Sequence, residues 1–141
     1  MRIRLRAALA AGFAALIGWT STVPAIAAAT DVSVGSGTLV AKGAAVTVPT
    51  TFVCDTGQIF NVFLVLRQRV GNGLAVGAGG SGPYQPCTGE TQTVAVTVTA
   101  QNRAFKPGTA AATLNLQICQ AGFVGCDPLI DLTTEIRLRS H

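Results

Sequence analysis

The 141-residue sequence has few of the side chains that catalytic and metal sites use. Its one His is His141, and charged residues make up only 11% of the chain. Lysine occurs only at Lys42 and Lys106, and the acids do not form an obvious pair. Nucleophilic and acid–base catalysis needs a base beside the reacting group, so we expect no catalytic residues and no enzyme. The six acids are Asp31, Asp55, Glu90, Asp127, Asp131 and Glu135.

The cysteine and glycine patterns do not favour a metal or a cofactor. Cys119 and Cys126 are separated by six residues, which is not the short spacing of a zinc knuckle, so we expect no metal site. Gly77, Gly79 and Gly82 match the G-x-G-x-x-G pattern of dinucleotide sites. That pattern requires a following helix, which the prolines of "PYQPC" forbid. We therefore expect a flexible glycine-rich loop here and no cofactor.

The N-terminal residues 1–29 have the pattern of a secretory signal peptide. Three arginines precede the apolar run "AALAAGFAALIGW", and small residues follow at Ala-x-Ala spacing. Cleavage is expected after Ala27 or Ala29. A membrane anchor is the alternative, but the apolar run is too short to cross a bilayer. The sequence therefore predicts a secreted, extracellular or cell-envelope-associated protein with no transmembrane segment after cleavage.

Cleavage would remove most of the positive charge. The full chain has a net charge of +4, but without the three N-terminal arginines seven basic and six acidic residues remain, a net charge of +1. A nearly neutral protein does not have the basic surface that binds nucleic acid or anionic membrane. We therefore expect no nucleic-acid partner. Residues 30–141 are enough for one domain with a modest core.

Alternating apolar and polar residues after position 30 predict an all-β fold. We find no amphipathic helix pattern of useful length, and Gly, Pro, Asn and Asp punctuate the intervals between strands. About seven short strands favour an immunoglobulin-like antiparallel β-sandwich with two disulfides. The predicted strands are 32–34 with 38–41, then 45–54, 59–69, 91–99, 110–119 and 130–139, and a short edge strand near 74–76.

The even number of cysteines predicts two disulfides in an exported domain, and four cysteines allow three pairings. In an immunoglobulin-like sandwich the strand ending at Cys54 lies antiparallel beside the strand after Cys87, which favours that pair. Cys119 and Cys126 would then close the mouth of a hairpin. The alternative joins Cys54 to Cys119, like the bridge between sheets in antibody domains. The alternation of side chains along each strand is against this pairing, because it places Cys54 on the inward side of its strand and Cys119 on the outward side.

Three segments resemble small secreted immunoglobulin-like proteins of high-GC actinobacteria: "GTLVAKGAAVTVPTTFVC", "CTGETQTVAVTV" and "FKPGTAAATLNLQIC". This resemblance covers most of the mature chain and implies the sandwich fold. More distantly, the architecture is similar to neocarzinostatin-type apoproteins, exported sandwiches with two disulfides that hold a small hydrophobic ligand in a cleft on one sheet. The chain departs from them in cysteine placement and has no Trp after Trp19. The resemblance implies a carrier function as an alternative, with no ligand residue carried over.

The stretch "FNVFLVLRQRV", residues 60–70, is apolar on both sides of its predicted strand. If the even-numbered residues face the core, Phe63 and Val65 face outward. The glycine-rich segment 71–82 could cover them, or they are isolated exposed residues of the common kind. The functional interpretation is a binding face that is apolar at one end and arginine-rich at the other. Its predicted members are Phe63, Val65, Arg67, Arg69, Asn115, Gln117, Glu135 and Arg137.

Together these patterns favour a secreted, non-catalytic binding or cell-envelope-associated module. Its expected partner is a protein, an envelope component or a small apolar ligand. A carrier of a small apolar ligand is the first alternative function, and a secreted hydrolase is the second.

Overall fold

The computed structural model describes residues 31–141, whose regular structure is β-strand apart from one 3₁₀ turn; the predicted signal peptide, residues 1–29, lies outside them. Nine strands form in this part of the chain, against about seven predicted, and only the two-residue strand Gln85–Pro86 matches none of the predicted segments. A 3₁₀ turn spans Ala41–Gly43, between the second and third strands. The strands are β1 (Ser33–Val34), β2 (Gly37–Val40), β3 (Ala45–Val53), β4 (Gln58–Val70), β5 (Gly73–Gly80), β6 (Gln85–Pro86), β7 (Thr91–Ala100), β8 (Gly108–Gln120) and β9 (Ile130–Arg139).

The strands pair in a mixed sheet whose pairings form a closed circuit. β3 pairs along its whole length with β7, and β8 lies between β4 and β9. Short pairings join these groups, β5 with β7 on one side and β2 with β9 on the other. The β2–β9 pairing is parallel, which corrects the expectation of a wholly antiparallel arrangement. Gly37 permits it, because a Cβ there would lie 2.7 Å from side-chain atoms of both Leu138 and Val46.

The alternation of side chains along each strand places the core where the sequence predicted it. In β4 the inward residues from Phe60 to Leu66 are buried, and Val46, Val48 and Phe52 of β3 are buried with them. Phe52 and Phe60 meet edge to face with their ring centroids 4.7 Å apart. Burial of this kind contributes about 25 cal/mol per Å² of apolar surface. These buried side chains form one continuous core, which joins the inward sides of the long strands.

The glycine-rich segment is a strand, so the prediction of a flexible loop was wrong. Its residues Gly73–Gly80 form β5, which pairs with β4 and also touches β7. The predicted edge strand near 74–76 is therefore longer than expected and has a neighbour on both sides. A Cβ at Gly79 would overlap the carbonyl of Thr97, and one at Gly77 would lie 2.6 Å from the carbonyl oxygen of Thr99. These glycines allow the two backbones to approach closely.

Both favoured disulfides are present. Cys54 is bonded to Cys87 across 33 residues, and Cys119 to Cys126 across seven. The alternative bridge from Cys54 to Cys119 was therefore wrong. The reason is topological: β3 and β7 are antiparallel neighbours, so the end of one adjoins the start of the other. Both disulfides lie at the same end of the molecule, because β3 and β8 both run towards it.

Candidate functional site

The eight residues predicted as a binding face lie on the outward side of the sheet formed by β4, β8 and β9. Strand register aligns them in rows that cross all three strands, because facing residues in an antiparallel ladder share one side. Arg69 continues the β4 series beyond Arg67, and Arg137 faces Thr109 of β8. We call this outward side the sheet face. Its three central rows are Phe63–Asn115–Asp131, Val65–Thr113–Thr133 and Arg67–Ala111–Glu135.

The glycine-rich segment does not cover the apolar members of the sheet face. Strand β5 runs beside β4 in the same sheet, with Gly80 opposite Phe63 and Ala78 opposite Val65. The Phe63 side chain is 44% exposed, whereas Val65 is half-buried. Gly80 has no side chain to cover the Phe63 ring on the β5 side.

The polar members of the sheet face differ in how freely they could meet a partner. Arg67, Arg69, Glu135 and Arg137 are exposed. Gln117 is half-buried, and its Nε2 donates a hydrogen bond to the carbonyl oxygen of Asp127 at 3.1 Å. Gln117 therefore holds the β8–β9 connection in place and is the member least available for binding.

Sequence reasoning missed a second group of exposed apolar side chains at the disulfide end. The rings of Tyr84 and Phe123 meet edge to face with centroids 4.9 Å apart. Phe123 is 60% exposed and Val124 is 87% exposed. Tyr84 precedes β6 and Phe123 follows β8. Because β6 and β8 pair with opposite edges of β4, the two rings meet across β4. We call Tyr84, Phe123 and Val124 the apolar tip.

A pattern in the sequence could have indicated the apolar tip. "AGFVG", residues 121–125, places two large apolar side chains between glycines inside the loop closed by Cys119 and Cys126. The six residues between the two cysteines cannot bury these side chains against their own backbone. Large apolar residues in such a loop therefore either pack on a neighbour, as Phe123 does, or remain exposed, as Val124 does.

The fold also separates positive from negative charge. Acidic residues such as Asp55 and Asp127 directly follow disulfide cysteines, while Arg69 and Arg137 lie near the strand ends remote from the disulfides. Although the net charge is only +1, the positively charged residues are concentrated at one end of the molecule. We call this end the basic end. It carries Lys42, Arg67, Arg69, Arg103, Lys106, Arg137 and Arg139, and the disulfide end carries Asp55, Glu90, Asp127 and Asp131.

Within residues 31–141 no group of three or more His, Cys, Asp or Glu side chains is placed to hold a metal ion. All four cysteines are in disulfides, so none is a free thiolate. Across the same residues, no helix is both long and apolar enough to span a membrane.

Comparison with known proteins assigns no family to the chain. No family model matches it, and no curated protein or solved structure matches it. The geometry of the described residues is therefore what points to a function.

Proposed function

We propose that the protein is a secreted, non-catalytic binding or cell-envelope-associated module that meets its partner with the sheet face. The observation that carries this proposal is the exposed Phe63 ring, which has Gly80 beside it on β5 and is followed along β4 by Arg67 and Arg69. Aromatic and arginine side chains are enriched in protein interfaces, where aromatics provide contact area and arginines provide directed hydrogen bonds.

The apolar tip extends this surface beyond Phe63. Two outward rows, Asn61–Gln117 and Ile59–Cys119, lie between the Phe63 row and the end of the sheet where the tip is found. A partner lying along β4 would therefore meet apolar side chains first and arginines last. That order suits a partner with an apolar part and an acidic part.

The proposed architecture is an immunoglobulin-like sandwich. Two groups of long strands support it, β3 with β7 and β4 with β8 and β9. Their pairings match those of the B–E and C–F–G groups in that fold. Each connection between the groups, β5–β7 and β2–β9, is only two residue pairs long. Export is supported by the N-terminal pattern and by the two disulfides, which persist in oxidising compartments.

The double substitution Phe63→Ser with Val65→Thr tests the sheet face. Wild-type protein and variant would be mixed with cell envelopes of the producing organism and with its concentrated culture medium. Envelope binding would be measured by co-sedimentation and soluble complexes by native mass spectrometry. We expect the variant to lose about tenfold or more in binding, a change of about 1.4 kcal/mol or more. Its melting temperature should change little, since Phe63 is exposed.

Val40→Ser is the matched control, because Val40 is 43% exposed on β2, which is not one of the three strands that form the sheet face. It should bind like wild type. If the Phe63→Ser, Val65→Thr variant bound as tightly as wild type, the proposal would be contradicted. A double variant that unfolds far below wild type would show that Phe63 and Val65 are structural and that the face is not a site.

A further inference from the structure

A cleft of about 450 Å³ opens at the basic end of the molecule. Its size lies within the range of small-molecule sites, roughly 300–1,000 Å³. The cleft lining combines apolar residues, which include Leu39 and Pro107, with two positively charged residues, Lys42 and Lys106. The lining residues are Leu39, Ala41, Lys42, Phe105, Lys106, Pro107, Ser140 and His141.

One wall of the cleft has an unusual backbone. Three consecutive residues have positive φ: Ala41 at 48°, Lys42 at 56° and Gly43 at 88°. Only the glycine adopts this region without steric cost, and each non-glycine residue costs roughly 1–2 kcal/mol there. Packing explains Gly43, since a Cβ at this position would overlap the carbonyl of Phe105. Strained non-glycine residues concentrate at binding and active sites, and here both of them line the cleft.

The opposite wall is fixed by a buried side chain. The Nε2 of Gln68 donates to the carbonyl oxygen of Lys106 at 2.8 Å, and the Lys106 N–H donates to Oε1 of Gln68 at 2.9 Å. The Phe105 N–H donates to the carbonyl oxygen of Gly43 at 2.9 Å, which joins the two walls. The backbones that carry Lys42 and Lys106 are therefore held before any ligand arrives, which lowers the entropic cost of binding.

We propose that this cleft binds a small amphiphilic anion. Its carboxylate, sulfonate or phosphate group would lie between the ammonium groups of Lys42 and Lys106, and its apolar part would lie against Leu39 and Pro107. A lysine ammonium is a compact charge that can approach an anion from several directions. This site is separate from the sheet face, and it does not depend on the function proposed for that face.

The anionic dye 8-anilinonaphthalene-1-sulfonate is a suitable probe, because it joins a sulfonate to aromatic rings. Fluorescence titration and calorimetry would measure its binding to the protein comprising residues 30–141. We expect one saturable site, and about tenfold weaker binding to the Lys42→Gln, Lys106→Gln variant. The neutral analogue N-phenyl-1-naphthylamine should bind wild type and this variant equally, since it has no charge for the lysines to meet.

The matched control is Arg67→Gln with Arg69→Gln, which removes two positive charges from the same basic end, although neither arginine lines the cleft. This variant should bind the sulfonate within about threefold of wild type, because exposed charges that do not contact the ligand are screened by salt. An equal loss of dye affinity in the lysine variant and the arginine variant would overturn the proposal. It would show that the overall positive charge of the protein attracts the dye. Absence of saturable binding to wild type would overturn it too.

Backbone amide NMR of the wild-type protein locates the dye without relying on any variant. The shifts should concentrate at residues 39–43, 105–108 and 140–141. Shifts that concentrate on β4 around Phe63 or at the apolar tip would overturn the proposal and would instead place the dye on the surface proposed for partner binding.

Discussion

The side chain of Gln68 clamps the backbone of Lys106 through two hydrogen bonds, one donated at 2.8 Å and one accepted at 2.9 Å. Gln68 is only 4% exposed and follows Leu66 on the inward side of β4. A buried amide is tolerated when its donor and acceptor are both used. The clamp therefore explains why a polar residue continues an otherwise apolar series.

Gln68→Met should lower the free energy of unfolding by about 2–3 kcal/mol, because it leaves the N–H and the carbonyl of Lys106 without their partner. Equilibrium denaturation in urea would measure the change. Gln101→Met is the control, since Gln101 is exposed, and it should stay within about 0.5 kcal/mol of wild type. A loss below about 0.5 kcal/mol for Gln68→Met would show that water replaces the clamp.

Gly79→Ala should destabilise the protein by about 1–3 kcal/mol, because the added methyl group overlaps the Thr97 carbonyl and forces β5 away from β7. Thermal unfolding followed by circular dichroism would measure the effect. Gly125→Ala provides the comparison, since nothing lies within 4 Å of a Cβ there. That variant should remain within about 1 kcal/mol of wild type. If the two variants were equally stable, the close contact between β5 and β7 would be contradicted.

Thr50→Val should raise the free energy of unfolding by about 1 kcal/mol. Thr50 is fully buried on β3, and its hydroxyl oxygen has no hydrogen-bond partner, so the valine removes an unpaired polar group at nearly constant volume. Chemical denaturation would detect the gain. Thr51→Val, one residue along, should give no such gain, because the Oγ1 of Thr51 lies 2.9 Å from the Oγ1 of Thr93. A destabilised Thr50→Val variant would indicate a water bound to the hydroxyl.

Removing the two disulfides separately should have unequal effects. Replacing Cys54 and Cys87 by alanine should cost about 3–4 kcal/mol, whereas replacing Cys119 and Cys126 should cost about 2–3 kcal/mol, since the longer closed loop restricts the unfolded chain more. Equilibrium unfolding of the two double variants would compare them. A larger loss from the shorter loop would mean that the β8–β9 connection contributes native contacts beyond loop closure.

The strands and their inward sides could be predicted from the sequence because side-chain direction in a strand alternates strictly. Once Phe60 and Val62 are assigned to the core, the outward position of Phe63 follows, and register then aligns it with Asn115. The pairing of Cys54 with Cys87 was predictable for a related reason, since antiparallel neighbours bring one strand's end to the other's start.

Other features depend on contacts between residues far apart in the chain, which no local pattern contains. The glycines of β5 suggested a loop because glycine is a weak strand former; only the approach of Thr97 and Thr99 makes glycine necessary there. The apolar tip requires the Tyr84 loop to meet the Phe123 loop across β4.

The sequence by itself determined the all-β fold, the inward and outward sides of each long strand, and the favoured disulfide pairs, because these follow from a two-residue period and chain direction. The tertiary structure alone decided the closed circuit of strands, the separation of charge between two ends, and the cleft that brings Lys42 close to Lys106. Those two lysines are 64 positions apart in the chain. Their proximity comes from the hydrogen bond between Phe105 and Gly43 and from the clamp of Gln68 on Lys106, which are contacts between residues far apart in the chain.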